Sequence, residues 1–103
     1  MDEIISTIQW TDKAKFTFNN IILYLQKEWT EKEVTKFISR THQVLETLKR
    51  YPEMCRPSQK RKNVRIAILD KHTQMIYHFK PRKKQLGILL FWSPKQSPHK
   101  FKF

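Results

Sequence analysis

Glycine is almost missing from this chain: Gly87 is the only one in 103 residues. A phosphate-cradling loop needs several glycines at fixed spacing, so a nucleotide-binding loop of that kind is excluded. Cysteine is equally scarce. Cys55 stands alone, which rules out an intrachain disulfide and a multi-cysteine zinc site and fits a reducing compartment. No histidines or acids cluster at metal-ligand spacing, so neither a metal nor a cofactor is expected. Long apolar runs are lacking too. The longest, Leu86 to Trp92, falls far short of the roughly 20 residues that cross a bilayer. Asp2 and Glu3 stand where a secretion signal would be positive. The expectation is a cytoplasmic protein with no membrane association.

Negative charge is scarce in one half only. Residues 1–50 hold 8 Lys and Arg against 7 Asp and Glu, a net of +1. Residues 51–103 hold 13 against 2, Glu53 and Asp70, a net of +11. Like charges on a small body repel, so a surface of this kind implies an anionic partner: nucleic acid, a ribosome or an acidic protein segment. With 39% hydrophobic and 13% aromatic residues, the chain has enough apolar material for a core and is not a disordered basic tail. Its length suits one domain spanning 1–103.

The apolar spacing changes along the chain. Ile4, Ile5, Ile8 and Trp10 suggest a short opening strand. Thr11 and Asp12 then offer an N-cap oxygen and an anion for a helix start. Ala14, Phe18, Ile21, Ile22, Leu25 and Trp29 follow at helical spacing. Thr30 and Glu33 have the spacing of a capping box, with Trp29 and Val34 placed for a hydrophobic staple. A second stripe runs through Val34, Phe37, Ile38, Thr41, Leu45 and Leu48, and Pro52 ends it by disfavouring helix at Tyr51. Two helices with almost no linker predict an antiparallel hairpin.

Residues 53–63 make a basic loop, with Pro57 as its breaker. Beyond it the period becomes two. Val64, Ile66 and Ile68 alternate with Arg65, which is expected to point to the opposite sheet face from them. Strands over 74–79 and 86–92 follow, joined by short polar connections. The last strand is apolar on both faces, which predicts an interior position. The fold class is α+β: an N-terminal strand, a long antiparallel helical hairpin and a three-stranded antiparallel meander forming one sheet.

In this order, the opening strand ending at Trp10, YLQKEW, LETLKRYPEMCRPS, VRIAIL, MIYHF and the apolar last strand before SPKQSP resemble the RelE/ParE toxin superfamily. The resemblance covers nearly the whole chain, although no single motif is specific. It implies the toxin of a type II bacterial toxin–antitoxin system, of the kind linked to plasmid stabilisation. Such a toxin inhibits growth and is neutralised by a small antitoxin with an acidic or disordered segment. One branch poisons DNA gyrase, and the other is a ribosome-dependent mRNA endoribonuclease. A third alternative is an inactive nucleic-acid- or antitoxin-binding module. Arg65 sits where the family often places a basic residue on the open sheet face. Lys95, Gln96 and Pro98 match a motif that more often begins with arginine, and lysine loses its bidentate fork. Thr73 and Gln74 stand where RNA-cleaving members tend to carry arginine, which favours gyrase inhibition over cleavage.

RNA cleavage needs an acid–base group and cations for the phosphate. The candidates are His99 with Arg65 and Lys95, although an exposed tail histidine is more often inert. Lys60, Arg61, Lys62, Lys95, Gln96, Lys100 and Lys102, with Arg65, are candidates for binding nucleic acid or the target. Phe101, Phe103 and Trp92 interleave with the tail lysines, as stacking against bases would require. Phe101 and Phe103 fit docking of the tail onto the body equally well, and Trp92 is better read as the end of the core strand. His78 is expected in the sheet, His72 in a turn and His42 on a helix surface.

Overall fold

A computed structural model describes residues 4–93. The chain runs β1 (Thr7–Trp10), α1 (Asp12–Glu28), α2 (Glu31–Arg50), β2 (Arg56–Pro57), β3 (Val64–Ile68), β4 (Gln74–Lys80), a 3-10 turn (Pro81–Lys83) and β5 (Gln85–Trp92). The α+β class and the helical hairpin are as expected. No helix among the described residues is long and apolar enough to cross a membrane.

Helix α1 starts where the sequence places its cap. Thr11 Oγ1 accepts from the Ala14 N–H at 2.9 Å, satisfying one of the free donors of the first turn. The second start differs. Thr30 makes no side-chain cap bond, so the expected capping box does not form. Its carbonyl instead accepts from the N–H groups of Glu33 and Val34, at 3.0 and 3.4 Å. Trp29, expected as half of a staple, stays 55% exposed. Helix α2 ends at Arg50, before Pro52, as predicted. The two stripes meet at Phe18 and Phe37, whose ring centroids lie 5.1 Å apart. Trp10 of β1 and Phe91 of β5 complete an aromatic cluster between the hairpin and the sheet.

The sheet has five strands in the order β1-β5-β4-β3-β2. β3, β4 and β5 form the expected antiparallel meander. β1 adds to it in parallel, through Thr7–Trp10 against Gln85–Ile88. That pairing needs a long crossover, which the hairpin supplies. The edge strand β2, paired antiparallel with β3, was not expected. It lies inside the stretch read as loop, and its Pro57 is tolerated because an edge strand needs no donor on its outer side. β5 is interior, as its two apolar faces implied.

β1 covers only half of β5. Beyond Ile88 the exposed backbone of β5 is satisfied by hydroxyls. Thr11 Oγ1 donates to the Leu89 carbonyl at 2.7 Å, and Thr17 Oγ1 accepts from the Phe91 N–H at 2.9 Å. The register shift between Ile76 and Tyr77 leaves Leu89 as the extra residue on β5. The hairpin is thereby tied to the sheet through the backbone as well as by apolar packing.

Candidate functional site

Two separate apolar clusters define the sheet's faces. Against the hairpin lie Ala67, Leu69, Met75, Tyr77, Phe79 and Ile88, packed with Phe37, Leu48 and Ile21. On the opposite, open face Val64, Ile66, Ile76 and Leu90 form a smaller cluster with Leu89 and Trp92. The alternation therefore runs opposite to the sequence expectation. Val64 and Ile66 face away from the helices, and Arg65 is in phase with Ala67 and Leu69 on the hairpin side. A β-branched alternation marks a face as apolar without saying which layer covers it.

Arg65 is held there by its guanidinium. Nη1 donates to the Cys55 carbonyl at 2.6 Å and to the Glu53 carbonyl at 3.1 Å, and Nη2 lies 3.6 Å from Glu53 Oε2. Across the strand pair is Tyr77, fully buried, whose hydroxyl donates to the Pro52 carbonyl at 2.8 Å. Burial pushes the Tyr77 phenol above its ordinary pKa, and the neighbouring Cys55 adds to the rise. Together the two side chains bind the carbonyls of Pro52, Glu53 and Cys55, where the chain leaves α2 and enters β2. Arg65 is thus a brace for this corner, its donors facing backbone oxygen rather than an open surface. The exposed cation that shares the open face with Ile66, through their pairing, is Arg56.

Of the other anticipated site residues, Lys60, Arg61 and Lys62 are exposed on the loop entering β3. The N–H of Lys60 donates to Ser58 Oγ at 3.2 Å, which shapes that loop. Lys95, Gln96, His99, Lys100 and Lys102, with Pro98, Phe101 and Phe103, lie outside the described residues. Thr73 is buried and Gln74 half-buried, opposite Trp92 on the open face. His72 and His42 are exposed, and His78 sits in β4.

The polar surface that the sequence did not reveal lies at the lower end of the open face. Register places Gln9, Gly87, His78 and Val64 in one row across β1, β5, β4 and β3. The next row holds Thr7, Gln85 and Lys80. A depression of about 250 Å³ adjoins them, bordered by Asn63, His78 and the corner from Lys80 to Lys83. Asn63 takes the left-handed conformation that asparagine tolerates, φ 63°. Half-burial of His78 lowers its pKa from 6.5, and the charges of Lys80 and Arg61 lower it further. The imidazole is therefore neutral at pH 7, with one donor and one acceptor nitrogen. Only the period-two phase, read together with register, could have grouped these residues, because they come from four strands.

A second concavity, about 740 Å³, runs along α2. Lys32, Lys36 and Arg40 line it together with Glu33 and Asp70, beside apolar Leu25 and Phe37. Arg40 Nε donates to the Leu69 carbonyl at 2.8 Å, fastening α2 to the β3–β4 turn. Among the described residues, no group of three His, Cys, Asp or Glu could hold a metal ion.

No family model matches this sequence. No curated protein matches it either. The fold does have a counterpart among solved structures. A chain described as "Chromosomal ParDE TA system from P. aeruginosa" superposes with a TM-score of 0.69 at 15% identity. The match covers 87% of this chain and 97% of that one. The strand, helical hairpin and meander assembled here thus form the fold of a chain from a ParDE toxin–antitoxin system.

Proposed function

We propose that the chain is the toxin of a toxin–antitoxin pair, acting in the cytoplasm and held inactive by a small antitoxin. The fold shared with the ParDE chain across most of both sequences carries this reading. The charge distribution agrees with it, since +11 on residues 51–103 calls for an acidic partner. The cleft along α2, where Lys32, Lys36 and Arg40 outnumber Glu33 and Asp70 beside apolar Leu25, suits an amphipathic segment that places acids against those cations and orders on binding.

For the toxic action we favour inhibition of DNA gyrase by binding. Thr73 and Gln74 supply no cation at the upper end of the open face, where Gln74 pairs with Trp92. The second reading, ribosome-dependent cleavage of mRNA, draws on His78, a neutral imidazole with Lys80 and Arg61 nearby. Expression of the chain alone in a bacterial host is expected to arrest growth, and co-expression of the adjacent short reading frame to restore it. Gyrase supercoiling should fail in the presence of the purified chain, while a defined message in a translation extract stays intact. Codon-specific cuts with supercoiling untouched would establish the second reading instead. Harmless high-level expression with no stable complex would refute both.

A further inference from the structure

Helix α1 buries one face and keeps large apolar side chains on the other. Ala14 and Ile21 are buried on its inner side. Phe16 and Leu23 each follow one of them by two residues and are therefore turned from them by about 200°. They point away from the sheet and stay 66% and 59% exposed. A single exposed apolar side chain is ordinary, but these two repeat along one line of the helix. Asp12, Asn19 and Lys27 are exposed on the same side. Neither Asp12 nor Lys27 forms an ion pair among the described residues.

The spacing of this outer line is the same from either end. Phe16 and Leu23 lie equally far from the midpoint between Asn19 and Asn20, and so do Asp12 and Lys27. The outer two residues carry opposite charges. In a two-fold pair, a residue that meets a second residue of the partner is met by that same residue in return. Two α1 helices packed antiparallel would therefore set Phe16 against the partner's Leu23 and Asp12 against the partner's Lys27, each contact occurring twice. Local charge permits the approach. The whole chain carries +12, whereas α1 has Lys13, Lys15 and Lys27 against Asp12 and Glu28, a net of only +1.

We propose that the outer face of α1 is a self-association surface, on which a second copy of the chain packs its own α1 antiparallel about an axis between Asn19 and Asn20. The asparagines at the axis fix the register, as a polar pair does in a coiled-coil seam. Other occupants match the face less well. A membrane would meet Asp12 and two asparagines, and an acidic segment would find Lys27 as the one cation on the line. No residue of the line borders the cleft along α2, so the dimer leaves that cleft accessible. The proposal does not depend on the chain being a toxin. One helix pair buries less than the roughly 1,200–2,000 Å² of a standard interface, so the dimer should be weak, with a Kd of about 1–100 μM.

Sedimentation velocity of the full chain at about 1–300 μM tests this, with reductant present because Cys55 is a free thiol. The parent should pass from monomer to dimer as its concentration rises. F16N/L23N should weaken dimerisation by about tenfold or more. I68N, at an isoleucine 63% exposed on the sheet, should stay within about twofold. D12K and K27D each bring like charges together at two symmetric places and should weaken it by about threefold or more. The double variant D12K/K27D restores opposite charges in the same register and should return to within about twofold of the parent. Because it carries the same change at the start of α1 as D12K, its recovery separates pairing from damage to the helix. Circular dichroism checks that each variant keeps the parent's helix content. A parent that stays monomeric throughout would overturn the proposal. So would a loss from I68N equal to that from F16N/L23N, or a double charge variant that fails to recover.

Discussion

On the face that meets the hairpin, Ala67, Leu69, Met75, Tyr77 and Ile88 are buried together with residues from both helices. On the other face Val64, Ile66, Ile76 and Leu90 form a smaller cluster. Toward the lower end that face turns polar, at Gln9, His78, Gln85 and Lys80. The cations follow the same division. Arg65, in phase with the buried face, has its donors on the carbonyls of Glu53 and Cys55. Lys80, Arg82 and Lys83, at the edge of the open face, have no protein acceptor among the ion pairs described. Basic residues in one sequence stretch can therefore do opposite jobs. What a cation touches decides whether it serves the fold or a ligand.

The largest effect that would probe this contrast is on the buried face. Leu48 is fully buried, whereas Leu45 on the same helix is only partly so. Leu48→Ala is expected to cost about 2–5 kcal/mol, and Leu45→Ala less. Urea denaturation of the two variants measures the difference, and a reversed order would mean that α2 is rotated from the position described. Next comes the brace. Arg65→Ala leaves two carbonyls without their donor and should cost about 1–3 kcal/mol. Arg65→Lys should recover only part of that, because an ammonium cannot reproduce the forked geometry. Tyr77→Phe removes one neutral hydrogen bond and should cost about 0.5–1.5 kcal/mol.

The smallest effects belong to the open face. His78 has its folded-state pKa lowered below 6.5 by burial and by Lys80 and Arg61. Its neutral form is favoured by folding, so its contribution is complete above pH 6.5 and is lost as pH falls through the folded value. Denaturation midpoints of the parent should therefore decline below pH 6.5 more than those of His78→Gln. Lys84→Gly should raise stability by up to about 1 kcal/mol by relieving the left-handed lysine, while weakening any anion binding at the corner. A loss of stability would show that the lysine side chain holds the turn.

Much of this fold was legible in the sequence, because local signals decide it. The Thr11 cap, the break at Pro52, the helical stripes and the three strands of the meander all occur where the residues require them. The failures have physical causes. The capping box needed a side-chain rotamer at Thr30 that composition cannot fix, and the carbonyl took its place. β2 is two residues long and contains a proline, so no period announces it. The face of Arg65 was misassigned because Val64 and Ile66 look like core and are buried, but in the second cluster. The row through Gln9, Gly87 and His78 was beyond sequence reasoning, since a parallel pairing across the hairpin brings Gln9 to Gly87.

The division between bracing and free cations is tested most directly by one series of thermal melts. Arg65→Ala and K80Q/R82Q/K83Q are melted beside the parent at the same pH and salt. The single substitution is predicted to lower the melting temperature by at least about 4 °C, as a loss of 1 kcal/mol or more would in a domain of this size. The triple substitution, although it removes three charges, should stay within about 2 °C, since Arg82 and Lys83 are exposed and half-buried Lys80 makes no ion pair among the described residues. If Arg65→Ala melts with the parent while the triple variant falls, Arg65 does not hold the corner after α2, and the assignment of roles to the two faces is wrong.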